Sequence, residues 1–158
     1  MRLLPFDSTY AASVASWPRS ATEVLMWCGL REFPVPERAV AAWQGEPDVA
    51  ARVLVDGEQP FAYGELWLDA AEDEVELARI IVAPGARGRG LGRALVRGLL
   101  AEARLSGLSE VFMRVHPENA AALRCYRGAG FAPVGAELAE AWNAGQPVDY
   151  VWLRHADA

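Results

Sequence analysis

Lysine is absent from this sequence, and histidine and cysteine occur only twice each. Without lysine, the chain cannot form the nucleotide-binding loop G-x-x-x-x-G-K-[ST], in which the lysine reaches the phosphates. The two cysteines, Cys28 and Cys125, allow at most one disulfide and exclude a dense disulfide framework. His116 and His155 do not have the spacing of metal ligands, so we expect no metal site.

Long apolar runs are also missing. No run approaches the ~18 residues that a transmembrane helix needs, and the first seven residues show neither the apolar segment nor the cleavage site of a signal peptide. We therefore expect a cytoplasmic protein with reduced thiols and no membrane partner. The formal net charge of -6 and the pI of about 5.0 argue against a general nucleic-acid-binding protein, which usually has a basic face.

The remaining composition predicts one folded domain over residues 1–158. Apolar residues make up 53% of the chain and charged residues 23%, a balance that supports a single hydrophobic core. The N-terminal part, residues 1–50, predicts a short strand and three helices. These helices run from a cap at Asp7 or Ser8 to about Trp17, from Ala21 to Cys28, and from Pro36 to Trp43.

The rest of the chain mixes strands with two further helices. Strands are predicted at 51–56, 61–68, 75–82, 110–115, 131–134 and 148–153, a long helix after the glycines near 90, and another helix from Pro117 to Arg127. Short links make neighbouring strands antiparallel, whereas a strand–helix–strand unit makes its two strands parallel. The expected fold is therefore α/β (α+β), with a mixed, mostly antiparallel sheet and a central strand–helix–strand unit flanked by helices.

The segment Arg87-Gly-Arg-Gly-Leu-Gly92 is the densest signal in the chain. Glycines at 88, 90 and 92 let the backbone approach a ligand closely. The following helix has an apolar stripe, and its first N–H groups and positive dipole end favour an anion. A plain surface loop with solvated arginines is the alternative. The dinucleotide fingerprint G-x-G-x-x-G fails, because its third glycine position is Arg93.

The same segment matches the pattern [QR]-x-x-G-x-[GA]. It follows Glu76-Leu-Ala-Arg-Ile-Ile-Val-Ala-Pro84, and Asn119-Ala-Ala-Ala-Leu-Arg-Cys-Tyr126 and Gly130-Phe131 lie downstream. These ordered blocks resemble the GNAT superfamily of acetyl-CoA-dependent N-acetyltransferases. The resemblance covers residues 50–155 well and makes 74–131 the acetyl-CoA-binding core. Residues 1–50 are similar only in their helical layout and would form the acceptor side.

The resemblance also implies the residues of the coenzyme site. The strand before the loop splays from its parallel neighbour, and the pantetheine arm binds its exposed backbone. The matching positions are Ile80, Ile81 and Val82 for pantetheine, Arg87, Gly88, Arg89, Gly90, Leu91, Gly92 and Arg93 for the pyrophosphate, and Asn119 and Tyr126 beside the pantetheine and the sulfur. The plain alternatives are a helix cap for Asn119 and a core aromatic for Tyr126.

The implied chemistry is acetyl transfer to a primary amine by direct attack in a ternary complex. Tyr126 would protonate the departing thiolate, and an amide near Ile81 would hold the oxyanion. Glu76 is the first candidate for the base, expected to share a strand face with Ala78 and Ile80. Glu65, facing with Tyr63 and Trp67, is the second candidate, and water is the third.

Substrate and partners are less defined. The acceptor is an unidentified small-molecule or peptide amine, and the resemblance allows a homodimer. Relatives that acetylate ribosomal-protein termini have a glutamate where this chain has Arg114, which argues against that substrate. The alternative function is a non-catalytic acyl-CoA-binding sensor or interaction domain, which has no need of a positioned acid such as Tyr126.

Overall fold

The computed structural model describes residues 1–156, and its elements follow the predicted order. The strands are β1 (Arg2–Pro5), β2 (Val49–Asp56), β3 (Gln59–Asp69), β4 (Glu74–Val82), β5 (Glu110–Val115), β6 (Phe131–Pro133) and β7 (Val151–His155). The helices are α1 (Ala11–Ala15), α2 (Ala21–Cys28), α3 (Glu37–Trp43), α4 (Leu91–Leu105), α5 (Ala120–Gly128) and α6 (Ala136–Asn143). Within residues 1–156, no helix is both long and apolar enough to cross a bilayer.

All strands of the described chain join one mixed sheet in the order β1-β2-β3-β4-β5-β7-β6. Its pairs are antiparallel except for β4 with β5, which are parallel because α4 connects them. The predicted fold class, including the central strand–helix–strand unit, is confirmed.

Several boundaries differ from the predictions for local reasons. The helix expected from Pro117 begins at Ala120, because Asn119 caps it by accepting a hydrogen bond from the Ala122 amide. The last strand begins at Val151, since Tyr150 is held by Asn143 in the preceding loop. Helix α6 was not predicted. It buries no residue, and a helix without a buried apolar stripe lacks the pattern from which a helix is predicted.

Two apolar cores lie on opposite faces of the sheet. On β2, Leu54 packs into the first core, while its neighbours Val53 and Val55 pack into the second. The first core is built around α4, where the predicted stripe buries Leu95 and Leu99 fully. The second core lies under the N-terminal helices. The sheet therefore separates the α4 side from the α1–α3 side.

Strands β4 and β5 diverge soon after they meet. They pair at only three positions, from Glu74 with Glu110 to Glu76 with Phe112. Beyond that point β4 stays on β3 as far as Val82, while β5 follows β7. The splay that the sequence resemblance implied is therefore present, and it leaves one edge of β4 without a strand partner.

A β-bulge interrupts β4 within this unpaired stretch. Arg79 has a left-handed backbone with φ +47°, a conformation that costs a non-glycine residue roughly 1–2 kcal/mol. The pairing jumps from Glu65 with Ala78 to Tyr63 with Ile81. Two residues of β4 thus face one residue of β3. The prediction that Ile80 shares a face with Glu76 is wrong, because the bulge turns Ile80 onto the α4 core.

The packing of α4 gives a direct test. Leu99 is fully buried, whereas Leu105 on the same helix is 87% exposed. We expect Leu99→Ala to lower the free energy of unfolding by about 2–5 kcal/mol, through lost burial and a residual cavity. Leu105→Ala is the matched control and should change it by less than about 0.5 kcal/mol. Urea denaturation measures both, and equal effects would contradict the assigned core.

Candidate functional site

A cavity of about 720 Å³ opens where β4 and β5 diverge. The end of β4, the glycine-rich loop, the start of α5 and one face of α2 contribute to its wall. The lining includes the predicted residues Ile80, Ile81, Val82, Arg87, Gly88, Gly90, Leu91, Gly92, Arg93, Asn119 and Tyr126. Of the predicted coenzyme residues, Arg89 alone is missing from this wall. Its guanidinium lies 6.0 Å from the centre of the Phe61 ring.

The glycine-rich loop presents unpaired main-chain donors to this cavity. Within the described chain, the amides of residues 88–93 donate no hydrogen bond to a protein group, and the first helical bond of α4 runs from Ala94 to Gly90. Gly88 and Gly90 both have φ +78°, and a Cβ on either would meet no atom within 4 Å. Open space and free N–H groups at a helix N-terminus form a suitable site for an anion.

Gly92 serves a different purpose from the other two glycines. A Cβ on Gly92 would lie 3.2 Å from the sulfur of Cys125 on α5. This glycine therefore allows α4 and α5 to pack closely, and it brings the loop beside the helix that carries Tyr126. Sequence reasoning treated the three glycines alike, whereas in the structure Gly92, which also lines the cavity, is the one required for helix packing.

The arginines near the loop also divide into two kinds. Arg87 is engaged within the protein, since it donates to the Val82 carbonyl at 3.0 Å and to Glu23 at 2.6 Å. Arg93 and Arg124 line the cavity and form no salt bridge within residues 1–156. Arg124 was missed, although it lies inside the second sequence block. The cations available to an anion are therefore Arg93 and Arg124 rather than Arg87.

Asn119 and Tyr126 both reach the cavity, but from different positions. Asn119 precedes α5 as its cap, so its carboxamide oxygen is occupied by the Ala122 amide at 3.2 Å. Tyr126 lies inside the helix and is only 8% exposed. The helix-cap interpretation of Asn119 is thus observed together with its place in the cavity wall.

The hydroxyl of Tyr126 has no hydrogen-bond partner among the described residues, and it is not sealed inside the core either. A buried phenol normally finds a partner, so this hydroxyl is open to a group that enters the cavity. Burial raises the pKa of Tyr126, and the neighbouring Cys125 raises it further. The phenol therefore stays protonated at neutral pH and can donate.

Glu76, the first candidate base, lies elsewhere. Both its carboxylate oxygens accept bonds from Arg114, at 2.7 and 2.8 Å. It lines a second cavity of about 730 Å³ that shares no wall residue with the first. The Arg114 guanidinium is also stacked 4.6 Å from the ring centre of Trp152. The structure thus does not bring Glu76 and Tyr126 together.

Glu65, the second candidate, is fully buried and lines neither cavity. It accepts bonds from the Tyr63 hydroxyl, from the Trp67 indole at 2.7 Å and from Arg79 at 3.0 Å. Burial raises the pKa of Glu65, whereas Arg79 and the hydrogen bonds oppose that shift. The predicted common face of Tyr63, Glu65 and Trp67 is confirmed by these contacts.

Helix α2 adds wall residues that were not among the predicted coenzyme residues. Glu23 accepts a hydrogen bond from the Arg19 amide just before the helix, and it also pairs with Arg87 of the loop. One turn later, Trp27 donates its indole N–H to the Arg79 carbonyl at 2.9 Å. The spacing of four residues places both on one helix face. No local motif marks these contacts, because their partners are distant in sequence.

Solved structures of other proteins share this fold. A spermidine N-acetyltransferase from Vibrio cholerae, in complex with CoA and spermine, superposes with a TM-score of 0.69 over 85% of this chain and 82% of that chain, at 19% identity. An aminoglycoside acetyltransferase in complex with coenzyme A gives a TM-score of 0.75 over 97% and 92% of the two chains, also at 19% identity. At this identity the likeness establishes the architecture alone.

Sequence relatives narrow the family. The [ribosomal protein bS18]-alanine N-acetyltransferase of Escherichia coli (strain K12) is 34% identical over 100 residues, which cover 63% of this chain and 65% of that protein's length. The family model described as the acetyltransferase (GNAT) family matches residues 12–131, from α1 to the start of β6. This span contains the loop, the fork of β4 and β5, and the Asn119–Tyr126 segment, and the chain belongs to the acetyltransferase (GNAT) family.

Proposed function

We propose that this protein is an N-acetyltransferase that moves the acetyl group of acetyl-CoA to a primary amine by direct attack in a ternary complex. One observation carries the proposal. Gly88 and residues 90–93, whose amides are free, line the same cavity as Tyr126, whose hydroxyl is unpartnered. An anion-binding loop and a proton donor on one cavity wall suit a phosphate-bearing thioester.

The cavity wall supports a specific placement of the coenzyme. The pyrophosphate binds the amides of residues 88–93, and Arg93 and Arg124 supply positive charge. The pantetheine arm follows the edge of β4 at Ile80 to Val82, which has no partner on β5. Asn119 contributes its remaining amide N–H groups. The thioester then lies toward Tyr126.

The chemistry follows from these positions. The amine nitrogen attacks the thioester carbonyl carbon, and the developing oxyanion is held by an amide of the bulged strand. When the carbon–sulfur bond breaks, Tyr126 gives its proton to the coenzyme thiolate. The amine proton leaves to a base, and Tyr126 regains a proton. The products are the N-acetylated amine and free coenzyme A.

Water suits the role of proton acceptor better than either glutamate. Glu76 is held at both oxygens by Arg114, and Glu65 is sealed from both cavities. The first cavity is open to solvent along the loop, so a water chain can reach the amine. We therefore assign Glu76 and Glu65 to the support of the site rather than to proton transfer.

The second cavity does not reach Tyr126, so it can contact only the part of an acceptor that lies away from the reacting amine. Its wall contains Glu46, Asp48, Asp69, Glu74 and Glu76, with Trp67 and Phe112 between them. Acidic and aromatic walls favour amines that carry further positive charge. Polyamines and aminoglycosides, the acceptors named for the solved neighbours, are thus the first to screen. Relatives that acetylate ribosomal-protein termini have a glutamate base at the position that Arg114 occupies here. Arg114 is bound to Glu76 and is not a base, which argues against that substrate.

The loop is tested by a pair of glycine variants. In thermal unfolding, acetyl-CoA and CoA should stabilise the protein, by about 2.7 kcal/mol at one hundred times Kd, whereas NAD should not. Gly90→Ala places a methyl group in the ligand space and should abolish most of this shift. Gly107→Ala is the matched control, because Gly107 has φ +79° against +78° and equally open surroundings. Equal coenzyme shifts in both variants would remove the loop from the binding site.

The acid is tested by Tyr126→Phe. We expect kcat with any accepted amine to fall about 100-fold, because a general acid typically contributes that factor or more. The Kd of acetyl-CoA should change less than about threefold, since the ring is retained. Unchanged turnover would take Tyr126 out of the mechanism. Absence of turnover with every amine, despite tight acetyl-CoA binding, would favour the sensor function instead.

The pH dependence of kcat follows from the raised pKa of the Tyr126 phenol. Burial raises the pKa of Tyr126 above its ordinary value near 10, so the acid keeps its proton as the pH rises to that value. We expect no fall in kcat between about pH 8 and pH 10. A basic limb centred in this range, lost in Tyr126→Phe, would contradict the assigned burial.

The variant Glu76→Gln distinguishes a structural role of Glu76 from a role as general base. A lost general base lowers kcat by about 100-fold to 10,000-fold. We expect less than a tenfold fall, provided that the variant remains folded in a thermal melt. A larger fall, together with loss of the acidic limb of the pH–rate profile, would return Glu76 to the role of base.

A further inference from the structure

The peptide between Arg79 and Ile80 is held by contacts from three separate elements. Trp27 of α2 binds the Arg79 carbonyl, and Glu65 of β3 binds the Arg79 guanidinium. Glu46, after α3, pairs with the same guanidinium at 3.2 Å. The guanidinium also stacks 4.2 Å from the ring centre of Trp43. None of these groups enters the steps proposed above.

These contacts determine where one amide points. A trans peptide is planar, so its C=O and N–H groups point in opposite directions. Because the Arg79 carbonyl faces Trp27, the Ile80 N–H faces away from Trp27. Ile80 is one of the two bulge residues of β4, and the register pairs neither of them with a residue of β3. Gly64 leaves the needed room, since a Cβ there would lie 3.2 Å from Ile80 and 2.8 Å from Leu99.

We propose that Trp27 and Glu65 are positioning residues that act through Arg79, and that they hold the bulge so that the Ile80 amide meets the acetyl thioester. The inference rests on the proposed acetyl transfer and deepens it. A left-handed backbone at a residue other than glycine, here Arg79, is unfavourable by itself. The bulge therefore persists only because its surroundings impose it. Trp27 fixes the carbonyl, and Glu65 fixes the side chain. Each contact alone leaves the peptide free to rotate partway.

This assignment gives Glu65 a role that differs from that of a base. Its carboxylate is saturated by Tyr63, Trp67 and Arg79, and it lines neither cavity. A base must reach the amine directly or through water. A carboxylate that anchors a guanidinium acts equally well at every pH where it stays paired. The two roles therefore predict different pH–rate profiles.

The experiment compares Trp27→Phe, Glu65→Gln and the double variant in the full chain. For each single variant we expect kcat to fall about tenfold, through a misplaced oxyanion donor. The Kd of acetyl-CoA, measured by calorimetry, should stay within about threefold. The shape of the pH–rate profile should not change. The double variant should lose less than the product of the single losses, because both act through one residue.

Trp17→Phe is the matched control for replacing a buried indole by a smaller ring. Trp17 is a second buried tryptophan of the same core, without a bond to Arg79, and its substitution should leave kcat within about twofold. Wild-type kcat in both Trp27→Phe and Glu65→Gln would overturn the proposal, as would fully multiplicative losses. A 100-fold loss in Glu65→Gln with a vanished acidic limb would make Glu65 a base. Failure of the wild-type protein to bind acetyl-CoA would instead refute the proposed function itself.

Discussion

The separation of β4 from β5 is the constraint on which the site depends. Adjacent parallel strands normally satisfy each other's main-chain groups, and a gap leaves those groups without partners. The gap persists here because each strand is held from its other side, β4 by β3 up to Val82 and β5 by β7 up to Val115. The sheet thus supplies an edge of polar groups beside a cavity, and a ligand or solvent must satisfy them.

An ion pair at the base of this fork joins its two strands. Glu76 is the last residue of β4 that pairs with β5, and Arg114 lies two positions beyond its partner Phe112. Their bidentate pair therefore joins the two strands where the hydrogen bonds stop. Breaking such a largely buried pair would leave a charge without compensation, which is strongly unfavourable. This pair occupies both carboxylate oxygens of Glu76, and it gives Glu76 the structural role of joining β4 to β5.

The sequence predicted the features that depend on local patterns, and it failed on those that depend on distant partners. Gly88 and Gly90 could be placed in a ligand loop, because an open turn before a helix has few other solutions. The face of Ile80 was wrong, because Arg79 gives no sign of its left-handed backbone. Glu76 and Glu65 were the first and second candidates for the base, because residue type alone does not show that each carboxylate is bound by a distant arginine. Only the fold distinguishes the saturated groups from Tyr126, whose hydroxyl is left open.

The N-terminal helices, which resemble the family least, are coupled physically to the segment that resembles it most. Glu23 binds the first arginine of the loop, and Trp27, one turn later, binds the strand bulge. A shift of α2 would therefore move both the glycine-rich loop and the bulged segment of β4. If residues 1–50 form the acceptor side, as proposed, then α2 couples substrate preference to coenzyme geometry.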